Sequence, residues 1–196
     1  TFQYWKKSLN FMKETNNNIP QSAHSGYASL LSGFQSIQLG TASIEGIPEA
    51  SYAPAVMTES RAFYIHVSEL SNHTANLRNT RKASVLLIED EETSEQIFAR
   101  KRVTYACNAA EVVHESAEWK DAMERFAEKF GAIMNHLKNM KDFHLIRLRP
   151  NSGRLVVGFG QAYDVTGEHM DELCHLRGID GKGHRTAPVT TSTTAS

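Results

Sequence analysis

Short apolar segments with the two-residue alternation of β-strands recur along this chain, and turn-forming residues separate them. About six short strands are predicted, together with one long amphipathic helix. This order of elements favours a small antiparallel barrel with helical additions over a doubly wound parallel sheet. The strand-like segments are residues 36–42, 50–56, 62–67, 83–88, 102–107 continuing toward Val113, 143–148 and 154–163.

Two hairpins are predicted within this pattern. Residues 50–56 and 62–67 form the first, in which Pro54 places part of the strand at a sheet edge or a bulge. Residues 143–148 and 154–163 form the second, around a turn at 150–153 with the sequence Pro-Asn-Ser-Gly.

The longest helical pattern begins after Ser116, the predicted N-cap. From Trp119 to Met140, apolar residues follow one another at spacings of three or four, which predicts one continuous amphipathic helix. Shorter helices are predicted at 25–33 and 71–78.

Composition restricts the partners of this fold. The 196 residues, 40% of them hydrophobic, suffice for one core and therefore one domain. A formal net charge of −1 excludes a strong global field for nucleic acid or an anionic membrane. No apolar run approaches the roughly 20 residues of a membrane span, and Cys107 and Cys174 lack a disulfide or zinc spacing. We therefore expect a cytoplasmic protein with no nucleic-acid partner and no membrane insertion.

Five short strings occur in a fixed order. They are Ser51-Tyr52-Ala53-Pro54, the strand end at 88–91, the basic run at 98–102, Asp142-Phe143, and Gly-Phe-Gly-Gln-Ala-Tyr at 158–163. In order and spacing they resemble the HugZ/HutZ family of heme-utilization proteins, within the split-barrel superfamily of pyridoxamine 5'-phosphate oxidase. The resemblance covers approximately residues 35–185.

The resemblance implies a mainly β fold with helices (α+β): an antiparallel, FMN-binding-like split β-barrel that forms a homodimer. It also implies an enzyme that binds heme at the dimer interface and degrades it oxidatively to biliverdin, releasing iron with electrons from an external donor. On this basis the chain divides into an N-terminal helical or strap segment (1–34), the split-barrel domain (35–167), a ligand-bearing C-terminal loop (168–185) and a disordered tail (186–196).

Three residues match the site positions of the family. His184, in the glycine-spaced string Gly183-His184-Arg185, matches the axial ligand of the heme iron. Asp142 matches a carboxylate that accepts the other imidazole proton from the opposite subunit, and Arg102 matches a residue on the distal side. A neutral imidazole that ligates iron needs such an acceptor for its second nitrogen, so the implied roles agree with the chemistry.

Arg100 is a further candidate, because it lies two residues from Arg102 and shares its face if the strand begins there. A guanidinium can pair with a heme propionate or stabilise negative charge that develops on oxygen, and the two roles cannot be divided between these arginines. Solvated rim residues are the alternative for both.

Other histidines compete with His184. His73 matches a family histidine and is a candidate for heme contact, although a surface position on a helix is the simpler expectation. His144 is expected to be a partly buried, hydrogen-bonded core residue. His169 and His175 flank the C-terminal loop and are substitutes for the ligand, whereas Cys174 has no feature that would lower a thiol pKa.

Two other functions stay open. The wider superfamily holds FMN in the same barrel, and Arg78, Arg81 and Lys82 are the basic residues available to clamp its phosphate. A heme carrier or storage protein would use the same ligand without turnover.

Overall fold

The structure is a computed structural model that describes residues 19–176. Within that range eight strands and four α-helices form. They are α1 (Gln21–Gly33), β1 (Ser36–Ala42), β2 (Pro48–Met57), β3 (Phe63–Ser68), α2 (Asn72–Thr80), β4 (Lys82–Ile88), β5 (Arg102–Glu111), α3 (Ala117–Phe130), α4 (Met134–Leu137), β6 (Phe143–Gly158), β7 (Gln161–Thr166) and β8 (Glu172–His175). None of the helices in residues 19–176 combines the length and the apolar character that crossing a bilayer requires.

All eight strands belong to one antiparallel sheet in the order β3-β2-β1-β4-β5-β6-β7-β8. A further pairing of β3 with β6 closes the first six strands into a barrel. Strands β7 and β8 continue the sheet from the second half of β6. The predicted antiparallel split barrel with added helices is therefore confirmed. Part of the predicted loop 168–185 is a strand, since Glu172–His175 forms β8.

The barrel interior is filled by alternate residues of each strand, as the two-residue period requires. On β5, for example, Val103, Tyr105 and Cys107 are buried, whereas Thr104, Ala106 and Asn108 are exposed. Helix α1 packs on the same core through Tyr27, whose hydroxyl donates to Met170 O at 2.6 Å. Because that proton is used, the Tyr105 hydroxyl, 2.6 Å away, donates to Tyr27. Burial raises the pKa of Tyr105, so both hydroxyls stay neutral.

Helix α3 covers the outside of the barrel and is shorter than predicted. Ser116 is its N-cap and accepts a hydrogen bond from Trp119 N at 3.2 Å, as expected. The predicted continuation to Met140 is wrong, because the helix ends at Phe130 and Gly131 adopts a φ of 72°. A 3₁₀ turn and the one-turn helix α4 follow. Apolar spacing alone does not reveal such a break, since Met134 is still buried beyond it.

The predicted hairpin turn at 150–153 is also wrong. Strand β6 runs without interruption from Phe143 to Gly158, and the chain reverses at Phe159 and Gly160. Pro150 is tolerated because the β5–β6 register shifts there: Ala106 pairs with Ser152, whereas Cys107 pairs with Pro150. Asn151, which lies between these two pairs, has no pairing partner on β5 and forms a β-bulge. A bulge is a place where a sheet accepts a proline.

Pro54 does not mark a sheet edge, since β2 lies between β1 and β3. It pairs with Ser36 of β1, and the pairing with β3 begins one residue later at Ala55. The Ala55 amide donates to Gln35 O at 3.2 Å, on the side of β1. Because successive amides of a strand point to opposite sides, the nitrogen of Pro54 faces β3, and at this residue β2 is not yet paired with β3.

We expect Gly153→Ala to destabilise the barrel. A Cβ at this position would lie 2.8 Å from Cδ1 of Tyr105 and 3.0 Å from Cβ of Val165, both in the packed interior. Overpacking of this kind costs about 1–3 kcal/mol. Urea denaturation would measure it, with Gly33→Ala as the control because nothing lies within 4 Å of that Cβ. Equal stability of the two variants would contradict the packing at Gly153.

Candidate functional site

A groove of about 670 Å³ crosses the outer face of β4, β5, β6 and β7. Most side chains that line it are small, so that the sheet surface is open to a flat or extended partner. Three charged residues, Arg102, Arg154 and Asp164, also line it. The small residues are Ser84, Thr104, Ala106, Ser152, Gly153 and Thr166.

Arg102 reaches this groove because it is the first residue of β5 and belongs to the outward set of that strand. It pairs with Ile88 of β4 and Val156 of β6, which places it at the end of the groove where β6 approaches its turn. Its Nη1 donates to Arg100 O at 3.1 Å. The guanidinium is thus tethered by one hydrogen bond while it lines the groove.

Arg100 does not share the face of Arg102, and that expectation is wrong. Strand β5 begins only at Arg102, so strand alternation does not apply to Arg100. The Arg100 guanidinium instead turns back on the acidic loop after β4, where it donates to Glu89 O through Nε at 3.1 Å and through Nη2. Its Nη1 also lies 2.9 Å from Glu91 Oε1. These contacts make Arg100 a structural residue of the β4–β5 loop.

Three large apolar side chains are exposed beside this end of the sheet. Phe98 is 83% exposed, Phe159 65% and Ile97 53%. The 3₁₀ turn Ile97–Ala99 packs against β6, and Phe159 follows the last residue of β6. Together we call Ile97, Phe98 and Phe159 the apolar rim. Sequence reasoning used two of these residues only as family markers, because their exposure is decided by the tertiary fold.

Asp142 lies at the other end of β6, directly before its first residue. Its Oδ2 accepts a hydrogen bond from Ser68 Oγ at 2.9 Å, and its carbonyl oxygen accepts one from Glu69 N at 2.8 Å. Val156, which pairs with Arg102, is near the far end of this 16-residue strand. A single chain therefore does not bring Asp142 and Arg102 together.

His144 is partly buried and hydrogen-bonded, as its position in a strand suggests, but its partners are charged. Nδ1 lies 2.6 Å from Glu111 Oε1 and Nε2 lies 2.7 Å from Glu69 Oε1. Arg78 pairs with the same two carboxylates, at 3.3 Å from Glu69 and 3.1 Å from Glu111. The four side chains form a closed ring that ties the ends of β3, β5 and β6 to helix α2.

His73 is buried, not on the helix surface, so that expectation is wrong. Only 7% of it is exposed, because α2 packs against the sheet, chiefly against β1, and the Nδ1 of His73 lies 3.0 Å from Ser51 Oγ of β2. Its Nε2 is buried without a hydrogen-bond partner within residues 19–176. Burial lowers the pKa of His73, against an opposing effect of the Glu49 charge.

The remaining candidates are placed as follows. His169 and His175 are exposed, with the His175 ring edge-on to Tyr163 at 5.1 Å, and Cys174 is a half-buried free thiol. His184 and the predicted tail 186–196 lie outside the described residues.

The basic residues considered for an FMN phosphate lie away from the groove, and two of them are bound to other side chains. Arg78 is held by two carboxylates, and Lys82 Nζ donates to Asn108 Oδ1 at 2.9 Å. Arg81 ends helix α2 with a φ of 56°. They do not line the groove.

Sequence reasoning did not single out His66, which lies on β3 against the ring of Phe143 at 5.1 Å. Its Nδ1 is buried and has no partner in the described part of the chain. Burial, together with the nearby charges of His144 and His114, lowers the pKa of His66 to about 4. At neutral pH this ring is uncharged.

The fold is that of the pyridoxamine 5'-phosphate oxidase family, whose model matches residues 25–157. Heme oxygenase HutZ of Vibrio cholerae serotype O1 is 37% identical over 151 residues, which cover 77% of this chain and 83% of that protein. Accordingly, the chain belongs to the HugZ/HutZ family of heme-utilization proteins within this split-barrel superfamily.

Solved structures agree with this placement. Campylobacter jejuni ChuZ superimposes with a TM-score of 0.74 and 28% identity, covering 92% of this chain and 72% of that one. HutZ of Vibrio cholerae, described there as a heme storage protein, superimposes with a TM-score of 0.65 and 30% identity, covering 68% of this chain and 94% of that one.

We expect the free energy of unfolding to fall as the pH drops from about 6.5 toward 4. The unfolded chain protonates His66 near its ordinary pKa of 6.5, whereas the folded chain does so only near 4. Acid therefore favours the unfolded state over this window, by up to about 3 kcal/mol for a shift of this size. His66→Phe should flatten this part of a pH series of urea titrations, and His169→Phe, at an exposed site, should not. An unchanged slope in His66→Phe would contradict the buried, neutral state of the ring.

Proposed function

We propose that this chain binds heme at the interface of a homodimer and degrades it oxidatively to biliverdin, releasing iron. The observation that carries the proposal is the 37% identity to a heme oxygenase over 77% of the chain. Heme is the substrate, and its iron supplies the oxygen chemistry. The protein's part is to bind the porphyrin, hold the axial histidine and place a cation near the reacting face.

The groove and its surroundings suit such a ligand. A porphyrin is flat and apolar and carries two carboxylates. The small side chains on the outer sheet face allow close approach, and the apolar rim adds exposed aromatic surface at the same end. Arg102 offers a guanidinium group for a propionate or for negative charge that develops on oxygen, whereas the other arginine of the groove, Arg154, is paired with Asp164 at 3.3 Å. We assign Arg102 to the distal side and leave Arg100 out of the site, because its guanidinium is used by the β4–β5 loop.

The end of the described chain supports His184 as the axial ligand. Leu176 N donates to Ala162 O at 2.8 Å, and Ala162 pairs with Val156, the partner of Arg102. Leu176, Ala162, Val156 and Arg102 thus form one row across the sheet. Leu176 and Arg102 are three strand-to-strand steps apart, at about 4.8 Å for each step. His184 follows Leu176 by eight residues, and a chain of that length reaches at most about 26–29 Å. His184 is therefore within reach of the Arg102 end of the groove.

The position of Asp142 supports a site built from two copies. Within one chain Asp142 lies directly before the start of β6. Arg102 pairs with Val156 near the other end of that strand, in the same row as Leu176. In the proposed dimer, Asp142 of one subunit accepts the imidazole proton of His184 of the other. A carboxylate in this role makes the ligand imidazole more basic and fixes its orientation. Buried His73, with its unpartnered Nε2, stays a candidate for contact with heme or with the second subunit.

A heme carrier is the second candidate, favoured by the description of the similar Vibrio cholerae structure as a heme storage protein. FMN binding agrees with the family at large. Against it, Arg78 is neutralised by Glu69 and Glu111 and is not free to clamp a phosphate. Titration of the purified protein with hemin and, separately, with FMN distinguishes the ligands: a Soret band that saturates at one heme per subunit supports the proposal.

We expect His184→Ala to keep the barrel but to lose the axial bond, with a changed Soret position and spin state. Asp142→Asn should bind heme and degrade it slowly, since a neutral amide polarises the imidazole less. Mixed dimers of these two variants test the shared site. If the residues meet across the interface, one site in each heterodimer is intact, and about a quarter of the wild-type activity returns on statistical mixing. Absence of any recovery, with heterodimers demonstrated, would contradict the shared site.

We expect Arg102→Leu to bind heme with near-normal affinity and to lose about two to three orders of magnitude in degradation rate, the range for removal of one oriented donor. The measurement is the decay of the Soret band and the growth of biliverdin absorbance with ascorbate, in the presence of catalase. Arg125→Leu is the control, because that guanidinium lies on α3 and pairs with Asp121 and Glu59. Intact heme in the wild-type protein under every reductant would favour the carrier.

A further inference from the structure

Ser68 is the residue whose side chain touches the Asp142 carboxylate. It is the last residue of β3 and pairs with Phe143, the first residue of β6. Its hydroxyl lies 2.9 Å from Asp142 Oδ2 and also accepts a hydrogen bond from Leu70 N at 3.2 Å. A hydroxyl has one proton, and an ionised carboxylate can only accept, so Ser68 donates that proton to Asp142.

Ser68 is itself held in place by the turn that leads into α2. Its carbonyl oxygen accepts a hydrogen bond from Thr74 Oγ1 at 2.6 Å and another from Ser71 N at 3.2 Å. The neighbouring Glu69 N donates to Asp142 O at 2.8 Å. Both the main chain and the side chain of Asp142 are therefore anchored to this one turn.

The same corner is fixed from its other side by the ring of Glu69, His144, Glu111 and Arg78. His144 lies two residues after Asp142, and Glu69 follows Ser68. Because Glu69 both donates its amide to Asp142 and pairs its carboxylate with His144, the turn cannot move relative to the start of β6 without breaking these contacts.

We propose that Ser68 is a positioning residue that orients the Asp142 carboxylate for its hydrogen bond to the iron-ligating imidazole, an inference that rests on the proposed function. The Ser68 proton occupies Oδ2, and no other side chain within residues 19–176 bonds this carboxylate. Oδ1 accepts no hydrogen bond within this range and is open to the imidazole proton, while the Ser68 bond holds the carboxylate in one rotamer. Without Ser68 the carboxylate is free to rotate about its own bond, and the imidazole loses a fixed partner.

The test uses the full-length, heme-loaded protein and two readouts: the iron–histidine stretching band in resonance Raman spectra of the ferrous form, and the rate of heme degradation. Ser68→Ala should broaden the band, lower its frequency and slow degradation by about tenfold, the lower end of the ~10–100-fold range for outer-sphere partners. Ser68→Thr, which keeps the hydroxyl, should restore both.

The chain offers a matched control in the same turn. Ser71 is the N-cap of α2, yet its side chain makes no capping hydrogen bond, so Ser71→Ala should leave the band and the rate at wild-type values. Ser68→Cys fills the same space with a weaker donor and should change both readouts in the direction of Ser68→Ala. It carries the test if the alanine variant does not fold.

A double variant shows whether Ser68 acts through Asp142. Ser68→Ala combined with Asp142→Asn should match Asp142→Asn alone, because residues that act as one unit are not additive. A further loss in the double variant would overturn the inference, as would a Ser68→Ala protein with a wild-type band and rate beside an impaired Asp142→Asn. If instead Asp142→Asn itself behaves as wild type, the proposed role of Asp142 fails, and with it the basis for Ser68.

Discussion

Strand β6 is the constraint on which the rest of this structure depends. Its first half pairs with β3 and closes the barrel, while its second half pairs with β7 and carries the extension of the sheet. One continuous strand can serve both only if it bends without losing its partners. The bulge opposite Ala106 and Cys107 provides an extra residue, and Gly153 leaves room for the ring of Tyr105. The two parts of the candidate site, Asp142 and the partner of Arg102, lie near opposite ends of this strand.

Charge in this protein is arranged locally. The net charge is only −1, but the charged residues form three local groups. Arg102 and Arg154 line the groove, and the acidic loop after β4 binds Arg100. The third group is the ring of Glu69, His144, Glu111 and Arg78. Isolated surface ion pairs contribute little to stability. The ring matters more for geometry, because it joins three strand ends and a helix at the corner that carries Asp142. An arginine whose guanidinium is bound within the protein by acidic residues or their carbonyl groups is not available to a ligand. Arg100 and Arg78 are bound in this way, whereas Arg102 makes one hydrogen bond, to a backbone carbonyl, and lines the groove.

A split barrel by itself does not decide between heme and FMN, because function resides in the groups that a fold presents and not in the fold. In this chain the residues considered for a phosphate are paired or lie away from the groove. The groove instead has small side chains, the guanidinium of Arg102, which pairs with no carboxylate in residues 19–176, and an adjacent apolar rim. This combination is better matched to a flat, largely apolar dicarboxylate than to a flavin phosphate.

The sequence by itself determined strands β1 to β5, the N-cap at Ser116 and the family, because these depend on local periodicity, on a side-chain-to-backbone bond within one turn, and on short ordered strings. It misplaced the end of α3 at Met140, since buried Met134 continues the apolar spacing beyond the break at Gly131. It read 150–153 as a turn, because a bulge facing another strand and a hairpin turn use the same residue types. Only the tertiary structure decided that His73 is buried, that Arg100 turns to Glu89 and that Ser68 meets Asp142. Each of these contacts joins segments that pairing and packing bring together, and no local pattern records such contacts.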